Sequence, residues 1–121
     1  MKTQIAAVED AMDQAAASVN KVIFLDRSDA KLFSTVGGDP AMNGEYVFLA
    51  LMGEPAQGWK VFRIGDFNSW ELVEQSSDRA VLFVSRSAID QPTGEIVTYE
   101  QRIAVDVPKY EATQVNVSPV R

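Results

Sequence analysis

The 121-residue chain has the length of one ordinary domain, and its 46% hydrophobic and 23% charged residues are typical of a globular protein. It contains no cysteine and no histidine, which excludes disulfides, thiolate zinc sites, cysteine nucleophiles and an imidazole base. The formal net charge of −6 and the scattering of the 11 basic residues argue against nucleic acid as a partner. An acidic surface is compatible with a basic protein partner or with simple solvation.

From the sequence as given we expect no export signal and no membrane anchor. Glu9, Asp10 and Asp13 interrupt the N-terminal region where a signal peptide needs an uncharged apolar run. No window approaches the roughly 18 apolar residues of a membrane span. We therefore expect a cytoplasmic protein without membrane contact, although a chain whose signal had been removed would look the same.

Residues 3–19 give the first predicted element. Ile5, Val8 and Met12 recur with alanines at three- and four-residue steps, and the acidic residues fall largely on the opposite side. Alanine favours a helix, and Asn20 is suited to end one. The pattern predicts an amphipathic helix over residues 3–19.

After Asn20 the hydrophobic pattern changes to the period of strands. Polar stretches rich in glycine and proline separate these segments at 37–44, 54–58 and 90–95, and the last two are typical hairpin turns. For AKLFSTV, a strand and an irregular edge are both compatible with the pattern. ATQVNVSPV is a candidate final edge strand. The other predicted strands are KVIFLD, EYVFLALMG, WKVFRI, WELVEQ, RAVLFVSRS and IVTYEQRIAVDV.

One helix followed by five to seven mostly antiparallel strands with short connections predicts a single α+β domain over residues 1–121, with strands from 21 to 120. In this arrangement the N-terminal amphipathic helix packs on a curved, mostly antiparallel sheet. The layout is similar to cystatin-like and NTF2-like folds by architectural analogy, and no motif carries a shared function.

The strand at 46–52 is apolar on both sides, so both of its faces need cover. The helix supplies one cover in the predicted fold. Long loops, a second layer of strands or another copy of the chain are the candidates for the other. Homodimerisation through the sheet and burial inside a closed barrel therefore both stay open.

The stretch FRIGDFNSW, residues 62–70, places two large aromatic residues beside polar ones after an apolar strand. A stacking face with a few hydrogen-bonding groups suits a sugar or a flat ring. The alternative is a tight turn after which the tryptophan points into the core. On the first reading the ligand-binding residues are Trp59, Asp66, Phe67, Asn68 and Trp70.

Carboxylates are the only plausible acid–base groups. Asp66 or Glu71 in an apolar pocket would have a raised pKa and act as a base, with Tyr46 or Tyr99 as donor to an oxyanion. The spacing of carboxylates after Asp66 does not fit a calcium loop, which needs a glycine at its sixth position. We predict no catalytic residue, no metal site and no cofactor.

Three functions remain open at this point. The first is a non-enzymatic binding domain that holds a small ligand or peptide in the concavity between helix and sheet, with the 59–70 segment as rim. The second is an acidic inhibitor or immunity-type protein that covers a basic protein partner, which acids clustered on one face would favour. The third is a small histidine-free isomerase or hydratase that uses a buried carboxylate.

Overall fold

The computed structural model describes residues 2–37 and 42–120, most of which lie in β-strands. A short helix, α1, covers Ala11–Ala15, and one 3-10 turn follows at Ala16–Ser18. The strands are β1 (Val19–Phe24), β2 (Ala30–Val36), β3 (Glu45–Met52), β4 (Trp59–Phe67), β5 (Ser69–Gln75), β6 (Arg79–Ile89), β7 (Ile96–Asp106) and β8 (Val117–Val120).

These strands form two four-stranded antiparallel sheets. The first sheet has the order β1-β2-β3-β4 and the second the order β5-β6-β7-β8, so each is a meander of sequence neighbours. Only Asn68 separates β4 from β5, and its backbone N–H donates to the carbonyl of Ser85 in β6 at 2.7 Å. The chain therefore crosses from the first sheet to the second at this residue.

The two sheets pack on each other through one hydrophobic core. Successive side chains of a strand point to opposite faces, and the buried positions of β2 and β3 follow this alternation. Leu32 and Leu49 from the first sheet meet Leu82 and Val105 from the second, and all four are fully buried. Burial of each such side chain stabilises the fold by about 1.5–3 kcal/mol.

The prediction of an α+β fold is wrong. The helix spans Ala11–Ala15 instead of residues 3–19, and none of its residues is buried. The second sheet supplies the cover that was assigned to the helix, and eight strands replace the predicted five to seven. Ile5, Val8 and Met12 are the only large apolar side chains of residues 3–18, whereas the two sheets each offer a complete apolar face, so the sheets pack on each other instead. Because no helix packs on a sheet, the structure does not have the cystatin-like or NTF2-like layout.

The prediction of an antiparallel sheet is confirmed. The turns at 54–58 and 90–95 connect paired antiparallel strands, and AKLFSTV is a regular strand. β4 continues to Phe67, so most of the predicted loop after Ile64 is strand. Of the predicted loop 37–44, residues 38–41 lie outside the described residues.

Arg27 ties the two sheets together at one end. Its guanidinium donates two hydrogen bonds to the carboxylate of Asp29, at 2.9 and 3.0 Å. It also donates to the carbonyls of Ser77 (3.2 Å), Val107 (2.6 Å) and Pro108 (2.9 Å), which belong to the second half of the chain. The hydrogen bonds from Arg27 lower the pKa of the Asp29 carboxyl below its ordinary value of 3.8.

Candidate functional site

Phe67 and Trp70, two of the predicted ligand-binding residues, point into the core. Their exposed fractions are 1% and 4%. Gly65 leaves room for the Phe67 ring, since a Cβ at residue 65 would lie 2.8 Å from the ring atom Cζ. The guanidinium of Arg86 lies 4.9 Å from the centroid of the same ring. Both aromatics therefore pack the two sheets together at the point where the chain crosses between them.

Trp70 is also held by a cation from the first sheet. The ammonium group of Lys21 lies 4.3 Å from the Trp70 ring centroid and donates to the Trp70 carbonyl at 2.5 Å. The indole N–H of Trp70 is buried and has no hydrogen-bond partner among the described residues. Packing and the cation–π contact therefore hold this side chain in place.

Asn68 belongs to a polar network that joins the β2–β3 connection to the second sheet. Its Oδ1 accepts from the backbone N–H of Asn43 at 2.7 Å, and its Nδ2 donates to Ser87 Oγ at 2.7 Å. Asn43 in turn accepts from the backbone N–H of Ser87 at 2.9 Å and donates to the Ser87 carbonyl at 2.8 Å. Internal partners thus occupy both polar ends of the Asn68 side chain.

Asp66 lies on the outward side of β4 and forms an ion pair with Arg63, at 2.8 Å from Nη2 to Oδ1. The Arg63 guanidinium also lies 4.4 Å from the ring centroid of Tyr46, which is the cross-strand neighbour of Asp66. The structure thus brings Asp66 and Tyr46 together at the surface, where the aspartate side chain is 41% exposed. In the described part of the chain, no apolar pocket surrounds this carboxylate, which is exposed and paired with an arginine. Glu71 and Tyr99 lie on the second sheet and are exposed.

Trp59 is the predicted site residue whose aromatic ring reaches the surface. It begins β4 and is 42% exposed. The ammonium group of Lys31 lies 4.3 Å from its ring centroid and 5.9 Å from that of Phe24. Lys31 on β2 is paired with Ala50 on β3, so its side chain crosses Ala50 to reach β4, and Ala50 is buried beneath it. Lys31 thus lies between two aromatic rings.

The outward side of the first sheet is a continuous aromatic and aliphatic surface. Register places outward residues side by side on neighbouring strands, and the rings of Phe33 and Phe48 stack with centroids 5.0 Å apart. Phe24 is the most exposed large side chain of this surface, at 73%. We call the surface the aromatic face, and its residues are Val22, Phe24, Lys31, Phe33, Tyr46, Phe48, Trp59, Val61 and Arg63.

The outward side of the second sheet is different in character. Val81 and Phe83 lie there among side chains of both charges. Soluble monomers rarely expose contiguous apolar patches larger than a few hundred Å² unless the patch has a role. The aromatic face is therefore the surface feature that calls for a functional explanation. The charged residues around Val81 and Phe83 are Glu71, Glu74, Arg79, Glu100, Arg102 and Asp106.

The aromatic face is electrostatically positive on a protein that is acidic as a whole. Among the described residues, Lys31 has no carboxylate within the 4.0 Å of a salt bridge. Asp66, the one carboxylate found at the outward positions of the described first sheet, is already paired with Arg63. The face therefore has an unneutralised cation between aromatic rings.

Sequence reasoning named Trp59 and Tyr46 and found that the strand at 46–52 needs cover on both sides, but it did not identify the other residues of the aromatic face. A signal was present, because VIF in β1 and YVFLALM in β3 are apolar on both sides of their strands. One side of each strand enters the core, and the other side forms the face. The ligand-binding roles of all five residues, Trp59, Asp66, Phe67, Asn68 and Trp70, stay predictions.

The described surface also has shallow depressions, and one of about 200 Å³ is lined by Val36, Gly44, Glu45 and the predicted site residue Asn68. A depression of about 340 Å³ is lined by Glu74, Gln75, Ser76, Arg79 and Val81, away from the predicted site residues. In residues 2–37 and 42–120 no group of three acidic residues is placed to hold a metal ion. No helix in the same ranges has the length and apolar character needed to cross a membrane.

Comparison with known proteins adds no further information, because no family model, curated protein or solved structure matches the chain. The geometry and chemistry of the aromatic face are therefore the basis for assigning a function.

Proposed function

We propose that the protein is a non-enzymatic interaction domain that binds a protein segment through its aromatic face. The observation that carries the proposal is the exposed aromatic surface with Lys31 between the rings of Phe24 and Trp59. Tryptophan, tyrosine and arginine contribute most to binding energy at protein interfaces, and Trp59, Tyr46 and Arg63 all lie on this face.

The shape of the face favours a protein segment over a small molecule. Small ligands bind in concave pockets that bury most of their surface. The aromatic face is instead one side of a four-stranded sheet, with a width of roughly 15–20 Å at the usual strand spacing. The concavity between helix and sheet, in which the sequence placed the ligand, does not form because the helix does not pack on the sheet. We therefore assign binding to the aromatic face instead of to that concavity.

The chemistry of the face also indicates the class of partner. A lysine between two aromatic rings has already lost part of its water shell, so a carboxylate from a partner would bind it favourably. The exposed rings around it favour aliphatic side chains. The best complement is therefore an acidic segment with apolar residues on one side.

The distribution of acids favours this function over the acidic inhibitor. The described carboxylates lie on the N-terminal segment, at strand ends and turns, among the arginines of the second sheet and, as Asp66, on the first sheet, instead of on one face. A surface that covers a basic protein needs a concentrated negative potential. The isomerase or hydratase alternative loses support because Asp66 is exposed and paired with Arg63.

The test uses 8-anilinonaphthalene-1-sulfonate, an anionic aromatic dye that combines the two features expected of the partner. The dye is titrated into dilute wild-type protein, Phe24→Ser and Lys31→Glu, with Arg102→Glu on the second sheet as control for the change of charge. We expect both face variants to weaken dye binding by about fivefold or more, the equivalent of 1 kcal/mol, and the control to bind like the wild type. Equal binding by all four proteins would contradict the proposal.

A further inference from the structure

We infer that the segment bound by the aromatic face is the N-terminal segment, residues 2–18, of a second copy of this chain, exchanged between two protomers. The inference rests on the proposed function of the face and names its partner. It is carried by the match between two exposed surfaces of the same molecule, one acidic and aliphatic, the other basic and aromatic.

The N-terminal segment has the apolar side that the face requires. Ile5, Val8 and Met12 are spaced as one side of a helix, and all three are exposed in the single chain. Residues 2–17 contribute no buried side chain to the fold. A soluble domain seldom exposes two separate sets of large apolar side chains, and pairing them would bury both.

Contact with the aromatic face would also allow the segment to form a longer helix. Asp10 caps α1, because its Oδ1 accepts from the backbone N–H of Met12 at 2.8 Å and of Asp13 at 3.1 Å. α1 nevertheless has five residues, and helices shorter than about 12–15 residues are marginal without tertiary contacts. Extension towards Ile5 moves the helix start beyond Asp10 and gives up this cap, and the contacts made on docking to the aromatic face would compensate for its loss.

The charge of the N-terminal segment is complementary to that of the aromatic face. The segment carries Glu9, Asp10 and Asp13 against the single cation of Lys2, whereas the aromatic face has Lys31 as an unneutralised cation. On a helix Glu9 lies about 40° from Ile5 and so borders the apolar side, whereas Asp10 points away from it. When the apolar side docks, Glu9 is the acid that can reach Lys31, with Asp13 next to it, and this attraction fixes the register of the two surfaces.

The same charges oppose the simplest alternative, in which two aromatic faces pack directly on each other. That arrangement would bring Lys31 of each copy towards an equally positive surface, and the only described carboxylate there is held by Arg63. Like charges in contact cost free energy, and more so when they lose water. Segment exchange replaces this repulsion by an attraction, and two-fold symmetry makes the contact twice.

The link between the segment and β1 favours exchange between copies over folding back. Ser18 Oγ donates to the Ala15 carbonyl at 2.8 Å, and the Val19 backbone N–H donates to the Ala16 carbonyl. With this turn in place, the segment and the aromatic face of one chain both stay exposed. A second copy can cover the segment and the aromatic face while this turn stays unchanged.

A helix over the N-terminal segment is long enough to lie across the aromatic face. A helix over this segment would be about 25 Å long and 10 Å wide, which matches the sheet, whose strands of six to nine residues are roughly 20–30 Å long. Two such contacts bury on the order of 1,000 Å² in total, at the lower limit for a specific protein interface.

The test is a charge exchange followed by sedimentation equilibrium on the full chain. One variant carries Lys31→Glu, and the other carries Glu9→Lys with Asp13→Lys. Each variant alone opposes like charges in both contacts, so we expect the dimer dissociation constant to rise about tenfold or more. In an equimolar mixture each altered segment meets the opposite altered face, and we expect the affinity to return to within about threefold of the wild type.

Two controls keep the result interpretable. Glu95→Lys with Glu100→Lys makes the same change of charge on the second sheet and should dimerise like the wild type. Met12→Ser removes an apolar contact without touching a charge or the core, and should weaken the dimer even if Lys31→Glu disturbs the sheet.

Several outcomes would overturn the inference. If the Glu9 and Asp13 variant dimerises like the wild type, the segment is not the partner. If mixing restores nothing, the contact is not between copies. If the wild type is monomeric throughout while dye binding still depends on Phe24 and Lys31, the exchange is refuted and the proposed function stands. If dye binding is also indifferent to both residues, both proposals fail.

Discussion

Gly65 and Phe67 should be energetically coupled, because the space above the glycine is filled by the phenylalanine ring. Phe67 is fully buried, so Phe67→Ala should lower the free energy of unfolding by about 3–5 kcal/mol. Gly65→Ala places a methyl group 2.8 Å from ring atom Cζ, which overpacks the core and should cost about 1–3 kcal/mol. In the double variant the added methyl enters the space that the ring has left.

The double variant should therefore be more stable than the sum of the single changes allows, by about 1–2 kcal/mol. Urea unfolding followed by the fluorescence of buried Trp70 measures all four free energies, with an unchanged slope as evidence of the same two states. Phe24→Ala on the aromatic face is the matched control and should cost under about 1 kcal/mol, because this ring is largely exposed. Additive losses, or a small loss for Phe67→Ala, would show that the ring does not fill the space between the sheets.

Two other predictions concern the ends of the sandwich. The hydrogen bonds from Arg27 lower the pKa of Asp29 in the folded protein, so they stabilise the fold above the unfolded value of 3.8, and this contribution disappears as the pH falls through the folded pKa. Asp29→Asn should therefore reduce the unfolding free energy at neutral pH more than at pH values below 3.8, as measured by urea unfolding at both; an equal reduction would contradict the linkage. Asn68→Ala leaves the backbone N–H of Asn43 and the hydroxyl of Ser87 short of partners, and should cost about 1–3 kcal/mol in the same assay; a neutral effect would mean that water replaces the amide.

The sequence predicted the strands well because their patterns are local. The alternation in β2 and the turn at 90–95 are decided by neighbouring residues, and both are found in the structure. The doubly apolar character of β3 correctly indicated that both of its sides need cover. A local pattern could not say that the second meander covers one side and that the other is left as the aromatic face.

The directions of Asp66 and Phe67 depended on a feature that no local pattern contains. Opposite the step from Val47 to Phe48, β4 advances by two residues, so it has a bulge at Ile64. The bulge shifts the alternation, and Phe67 consequently enters the core while Asp66 turns outward. Which strand bulges depends on pairing with β3, and pairing is a property of the folded chain.

The helix was mispredicted for a related reason. Periodicity shows which side chains would share a face, and residues 3–19 have that periodicity. Whether the helix forms depends on what that face can pack against. In the single chain the second sheet already covers the inner side of the first sheet. The segment therefore has no apolar surface to pack on there, and it is helical only at Ala11–Ala15.

Residue-resolved NMR over a dilution series of the wild-type chain would show whether this protein binds through its aromatic face. We expect concentration-dependent amide shifts at the outward residues of the first sheet, such as Phe24, Lys31 and Val61, and in the N-terminal segment around Met12. Shifts confined to the second sheet, or a spectrum independent of concentration together with a face that does not bind the anionic dye, would contradict binding through the aromatic face.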